Sequence, residues 1–150
     1  MISGENISRL TFAIPTFGGS KFLRNAIDSI FSQTVPCNAV VCAGGELPAE
    51  IRDHMDFVGN VKILVVDPDP GMVECWNSAA SEVNTEFIAF LADDNLLHPA
   101  FAESLISSLD LNPTADFAFS DQRYVNENST VHEAETVRMK SFFGRDCLAE

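Results

Sequence analysis

Apolar and polar positions along the chain alternate between two textures, short unbroken apolar runs and stretches in which apolar residues recur every three or four positions. Leu10-Thr11-Phe12-Ala13-Ile14 is a β-rich run, and Pro15, which cannot donate to a sheet ladder, is expected to end it. Thr16 to Ser20 reads as a loop, with Ser20 placed to cap the helix after it. From Lys21 to Ser32, Phe22, Ala26 and Ile30 keep steps of four, with Leu23, Ile27 and Phe31 beside them, which predicts a helix with a broad apolar face. Pro36 marks its end. Ala39-Val40-Val41-Cys42 predicts a second buried strand, Ala43-Gly44-Gly45 a turn, and Pro48 the start of a modest helix through about Met55. Val61 to Val66 predicts a third strand, closed by Asp67-Pro68-Asp69-Pro70-Gly71. Met72, Trp76, Ala79, Ala80 and Val83 then keep helical spacing.

The next stretch, Glu86-Phe87-Ile88-Ala89-Phe90-Leu91-Ala92-Asp93-Asp94-Asn95, runs an apolar segment straight into two adjacent carboxylates and an amide. It predicts an interior strand with acids at its carboxyl end. His98-Pro99 opens a fourth helix, with Phe101, Leu105 and Leu109 at steps of four, which Asn112-Pro113 stops. Ala115 to Phe119 reads as a further strand with Ser120-Asp121 at its end. Beyond Gln122 the pattern weakens: Asn126-Glu127-Asn128-Ser129 looks like a turn, and the final residues show no period. No internal repeat, linker or low-complexity block interrupts the chain.

Strand and helix alternate four times, which argues an α/β fold, a mostly parallel sheet with helices on both faces. Right-handed crossovers bring every strand's carboxyl end to one edge. That edge collects Pro15-Thr16-Phe17, Cys42-Ala43-Gly44, Asp67-Pro68-Asp69 and Asp93-Asp94-Asn95, and open sheets of this kind place their ligands there.

Composition narrows the picture. A chain of 150 residues with 46% hydrophobic content supports one core over 1–150. Its formal charge of -13 disfavours nucleic acid and anionic membrane surfaces as partners, while a phosphorylated small molecule stays admissible if a cation intervenes. Cys37, Cys42, Cys75 and Cys147 lack the paired spacing of a zinc or thioredoxin-like motif and read as free thiols, three of them in or beside apolar segments. Met1 to Asn6 lacks the basic and apolar regions of a signal peptide, and no apolar run reaches membrane-spanning length. No integral membrane segment and a cytoplasmic location are therefore expected.

Two neighbouring carboxylates at a sheet edge suit a hard divalent cation, Mg²⁺ or Mn²⁺, which takes carboxylate, phosphate and water oxygens. Asp-Asp-Asn equally makes Asx turns and caps a helix. His98 reads as a helix cap beside Pro99, Asp121 as a turn carboxylate, and Asp67 and Asp69 as shapers of a loop. No G-x-G-x-x-G follows any strand, against a dinucleotide-binding domain. A phosphoacceptor receiver would need acids where Pro15-Thr16 stands, and Gly18-Gly19-Ser20-Lys21 only faintly approximates a nucleotidyltransferase phosphate loop.

Phe12-Ala13-Ile14-Pro15-Thr16-Phe17 resembles the first strand and Pro-Thr-Tyr-Asn loop of the family 2 glycosyltransferases. Phe22 to Thr34, with its Ser32-Gln33-Thr34 ending, is similar to that family's first helix. Gly71, Trp76-Asn77-Ser78-Ala79, the Glu86–Asn95 stretch and His98-Pro99 match its central block, in order and spacing over roughly residues 8–125. The resemblance implies a GT-A fold transferring a hexosyl or related sugar from a nucleotide-sugar donor to a saccharide or glycoconjugate acceptor. It implies that Pro15, Thr16, Phe17, Cys42, Ala43 and Asp93 surround the nucleotide. Asp94 would be the leading metal ligand, for Mg²⁺ or Mn²⁺, with Asp93 nearer the ribose or donor sugar. Three positions depart from the pattern. Cys42-Ala43-Gly44-Gly45 stands where the family has Asp-Asp-Gly-Ser, so the acid that reads the base is replaced. Trp76 stands where the family often has Arg and reads as core or pocket wall, and Ala92 replaces the first acid of the longer Asp-x-Asp-Asp form. No flanking motif assigns a catalytic base to Glu133, Glu135, Asp146 or Glu150. The acceptor half is expected to be lacking, with 126–150 irregular and at most its start. A non-catalytic or truncated GT-A-like binding module is the competing expectation.

Overall fold

The computed structural model describes residues 8–66 and 70–126. In order they form β1 (Leu10–Phe17), α1 (Leu23–Phe31), β2 (Cys37–Gly44), α2 (Ala49–Val58), β3 (Val61–Val66), α3 (Met72–Ser81), β4 (Phe87–Phe90) and α4 (Phe101–Leu111). The four strands make one sheet in the order β3-β2-β1-β4, and every pairing is parallel. The chain divides into two compact units, Met1–Ser107 and Ser108–Glu150. The first holds the whole sheet.

Strand alternation distributes the core over two layers. Leu10, Phe12 and Ile14 of β1, with Ala39, Val41 and Ala43 of β2, face a cluster that includes Leu23, Ala26, Ile27 and Ile30 of α1 and Met55 of α2. Phe101, at the start of α4, packs its ring 6.2 Å from that of Phe12. The opposite layer is smaller: Ala13, Val40 and Cys42 of the sheet meet Cys75 and Ala79 of α3. The expected buried thiols are found at Cys37, Cys42 and Cys75.

Several expectations are corrected. β1 does not end at Pro15 but runs on to Phe17, paired with β2 through Thr16↔Ala43 and Phe17↔Gly44. Arg9 and Ala13 direct their carbonyls to β4, accepting from Phe87 and Leu91 N–H, so Pro15 two residues on faces the same side. The β4 register stops at Ala13↔Phe90, and the N–H that proline lacks is not needed there. Ser20 does not cap α1, which starts three residues later with Phe22 at the N-cap and no side-chain cap. Instead the Ser20 hydroxyl donates to the Asp93 carbonyl at 3.2 Å and accepts from the Phe22 N–H at 3.3 Å.

β4 is not an interior strand. Among the described residues it pairs with β1 alone, and Ile88 and Phe90 on its α3-side face stay 41% and 58% exposed. No strand forms over 115–119, where Phe117 and Phe119 are exposed and lie 6.3 Å apart, their rings stacked. Apolar alternation there lacks a ladder partner among the described residues, and a strand exists only with one. The expected loop at Asp67-Pro68-Asp69, the turn beyond Asn126, Cys147, and Glu133, Glu135, Asp146 and Glu150 lie outside the described residues.

The end of α1 is fastened to the start of α4. Gln33 Nε2 donates to the carbonyls of Ser29 and His98, and Gln33 Oε1 accepts from Ala102 N–H at 2.9 Å. The Ser29 hydroxyl accepts from Leu97 N–H, Thr34 N–H donates to Pro99 O, and Thr34 Oγ1 donates to Glu103. His98 behaves as expected, its Nδ1 accepting from Ala100 N–H as α4 begins.

Candidate active site

The strand order contains one reversal. From β1 the chain winds outward through β2 to β3, then crosses back by α3 to set β4 on the other side of β1. Loops leaving β1 and β4 diverge at such a point and leave a crevice at the carboxyl edge of the sheet. A cavity of about 360 Å³ opens there, lined by Pro15, Thr16 and Phe17 of β1, Ser20, Asp93 just past β4, and Gly71, Met72 and Cys75 of α3.

The two strand ends are joined across it. Thr16 Oγ1 donates to Asp93 Oδ2 at 2.5 Å, and Ser20 Oγ donates to the Asp93 carbonyl. Thr16 is buried and Asp93 half-buried, so the contact is largely withdrawn from solvent. One carboxylate oxygen is committed to Thr16, which fixes the direction of the other. Asp94 is exposed beside it, outside the cavity lining. Phe17 is 72% exposed at the rim, which leaves an aromatic face open to a flat ligand. The first turn of α3 begins at the cavity, so the positive end of that helix is near whatever enters.

The structure therefore brings together Pro15, Thr16, Phe17 and Asp93, with Asp94 adjacent. It does not bring Cys42 or Ala43 to the cavity. Both side chains are fully buried, Cys42 toward α3 and Ala43 toward the α1 layer. Burial, with the neighbouring Cys75 thiol, pushes the Cys42 thiol up to about 12. Trp76 does not line the cavity: it is half-buried, its ring edge-on to that of Phe90 at 6.0 Å. Ser20, Gly71, Met72 and Cys75 join the site, although the sequence assigns none of them to it, Ser20 reading only as a helix cap and Gly71 only as part of the matched central block. The signal available for them is position alone, since each sits just after β1 or at the start of α3.

Oxygen donors at Asp93 and Asp94 are of the type hard cations take, and among the described residues no cluster of three or more His, Cys, Asp or Glu converges on a point. Such a pair fits an ion that draws the rest of its sphere from phosphate and water, and does not fit a structural zinc. A larger open groove, about 650 Å³, lies at the opposite edge of the sheet. Its cations Arg9 and Lys62 are paired with Glu86 and Glu82, and it lacks a carboxylate held as Asp93 is.

Solved structures with the same fold include S. aureus TarS, at 17% identity and a TM-score of 0.63, the match covering 69% of this chain and 20% of that one. The 1–349 portion of S. aureus TarS matches at 16% identity and a TM-score of 0.65, over 79% of this chain and 40% of that one. The same portion in complex with UDP matches at 15% identity and 0.63, over 81% and 43%. This chain thus spans less than half the length of these structures. No curated protein matches the sequence. Among the described residues no helix is long and apolar enough to cross a membrane. Residues 11–148 match glycosyl transferase family 2, and with nearly the whole sequence inside that match the chain belongs to this family.

Proposed function

We propose that the chain binds a nucleotide-sugar donor in the cavity between β1 and β4 and serves as the donor half of a glycosyltransferase. The observation that carries this reading is the Thr16–Asp93 hydrogen bond, which holds a carboxylate rigidly at the switch point of the sheet. Asp93 accepts from hydroxyls of the ribose or donor sugar. Phe17 stacks on the base, while Pro15 and Thr16 form the wall beneath it. The start of α3 faces the diphosphate. That a solved structure of the same fold holds UDP supports a nucleoside diphosphate as the ligand class.

Asp94, with Asp93, would hold Mg²⁺ or Mn²⁺, and members of this family generally use a divalent cation. Such an ion screens the diphosphate from a protein of formal charge -13 and stabilises negative charge on the departing phosphate. On this reading the chain from 1 to 150 is one GT-A-like domain with its nucleotide-binding part at 8–125. The acceptor is a saccharide or glycoconjugate.

Calorimetric titration with nucleoside diphosphates and nucleotide sugars, with and without Mn²⁺, tests the donor site. Binding is expected to require the metal and to disappear in Asp94→Ala. Metal-independent binding, or none by any nucleotide, sinks the reading. A second reading, a GT-A-like module that binds without turnover, is favoured by the full burial of Cys42 and Ala43, which leaves no acid from β2 to read a base. Release of free sugar from a bound nucleotide sugar, monitored by chromatography, separates the two: steady release argues for transfer chemistry, binding without release for the module.

A further inference from the structure

The cavity between β1 and β4 carries two large apolar side chains that the fold leaves uncovered. Phe17 ends β1 on the side that Ala13 and Pro15 share, the side roofed by α3, and it is 72% exposed. Met72 opens α3 and is 61% exposed, and both line the cavity. Neither belongs to a core layer. The partner of Phe17 on β2 is Gly44, followed by Gly45, so that strand brings no side chain over the ring. A Cβ at Gly45 would meet nothing within 4 Å, which leaves that corner open. The polar side chains of the lining are Thr16, Ser20 and Asp93, and they are tied together, Thr16 to the Asp93 carboxylate and Ser20 to its carbonyl. Among the described residues the cavity thus offers a base two apolar walls and no further polar side chain to read its edge.

We propose that Phe17 and Met72 form an apolar clamp that holds the nucleobase by its two faces, so that the site accepts purine and pyrimidine nucleoside diphosphates alike. The clamp rests on the donor-site reading and names what that site selects. Every base has an aromatic face, so stacking on a protein side chain tolerates a change of base. Strong discrimination needs a buried polar group that the wrong ligand leaves unpaired, whereas apolar walls separate close analogues weakly. Between two exposed walls the base edge stays toward water, where one pattern of donors and acceptors is exchanged for another at little cost. A thioether suits such a wall, because its rotatable bonds let it follow rings of different size. Selection then falls on the diphosphate, its cation and the sugar hydroxyls near Asp93.

Calorimetry on the full chain with UDP, CDP, GDP and ADP, each with Mn²⁺, tests the clamp. The four dissociation constants are expected to lie within about tenfold of one another. Phe17→Ala is expected to weaken all four by about fivefold or more, and Met72→Ala by about threefold or more. Met72→Leu keeps the apolar wall and is expected to weaken none. Both side chains are largely exposed, so folding of the variants is not at stake. Inorganic pyrophosphate with Mn²⁺ has no base, and its affinity is expected to be the same in the unsubstituted chain and in all three variants. A preference of more than about tenfold for one base overturns the clamp and leaves the donor site standing. Unchanged nucleotide affinities in either alanine variant overturn it too, as does a loss that pyrophosphate shares, since the residue then acts on the diphosphate or on the fold. If none of the four nucleotides binds, the donor-site reading falls and the clamp with it.

Discussion

A hydroxyl and a carboxylate 77 positions apart meet at 2.5 Å, and the site depends on that meeting. A hydrogen bond to a charged group contributes about 1.5–3 kcal/mol, more than most surface contacts. Thr16→Val removes it while keeping the shape, and is expected to weaken nucleotide binding by roughly tenfold or more. Thr16→Ser is expected to keep most of the affinity, and calorimetry on the two variants checks both. Buried thiols supply a second expectation. Burial raises Cys37 from 9.0 to about 11 and Cys42 from 9.0 to about 12. The folded state thus holds these protons more tightly than the unfolded chain, so the contribution is complete below pH 9 and is lost as pH climbs toward 11 and 12. Urea midpoints are expected to be level near neutrality and to fall above about pH 9, with a shallower fall in Cys37→Ala. The sequence shows Asp93 and Asp94 plainly, because an apolar run that breaks into two acids is hard to miss. It does not show Thr16 as the partner of Asp93, nor that Cys42 turns toward α3, since both arise from strand pairing at long range.

Elements reproduce the apolar pattern wherever one layer covers them. α1 is legible because Leu23, Ala26, Ile27 and Ile30 keep one face, and all four are buried. β2 is legible over Ala39 to Cys42 only, since Ala43 and Gly44, which read as a turn, stay in the strand as partners of Thr16 and Phe17, and β3 is legible as an apolar run interrupted by Lys62. The far end of β1 is not, because Pro15 reads as a stop, whereas the missing donor costs nothing once the neighbouring strand has ended. The Ser32-Gln33-Thr34 ending of α1 has a structural part to play. Gln33 supplies the N–H of Ala102 with an acceptor that α4 itself lacks, and its amide group spans Ser29 and His98. Gln33→Ala is expected to cost about 1–3 kcal/mol, since it leaves a part-buried donor unpaired. Chemical denaturation measures the loss, and hydrogen exchange locates it if the Ala102 amide loses protection. A close approach of chain also holds the loop before α1. A Cβ at Gly19, whose φ is +73°, would stand 3.2 Å from both Leu47 and Pro48.

For the molecule as a whole, alternation of strand and helix is enough to imply a parallel α/β sheet, and the switch point lies in the order β3-β2-β1-β4. What alternation does not tell is which strand lies at a margin. β4 has the apolar composition of an interior strand, and Ala115 to Phe119 has that of a fifth strand. Neither the margin nor the missing ladder is encoded in local period. The margin carries a consequence for how copies of the chain behave in a crowded solution. Ile88 and Phe90 present apolar surface beside an edge that holds open backbone groups among the described residues, a surface on which like molecules adhere. A formal charge of -13 keeps copies apart by mutual repulsion, a colloidal safeguard that acts through solvent. Salt shortens its reach, from about 30 Å at 0.01 M to about 10 Å at 0.1 M. Light scattering is therefore expected to show self-association growing with ionic strength, and Ile88→Lys is expected to suppress it. Acidity here is a solubility device as well as an obstacle to phosphate.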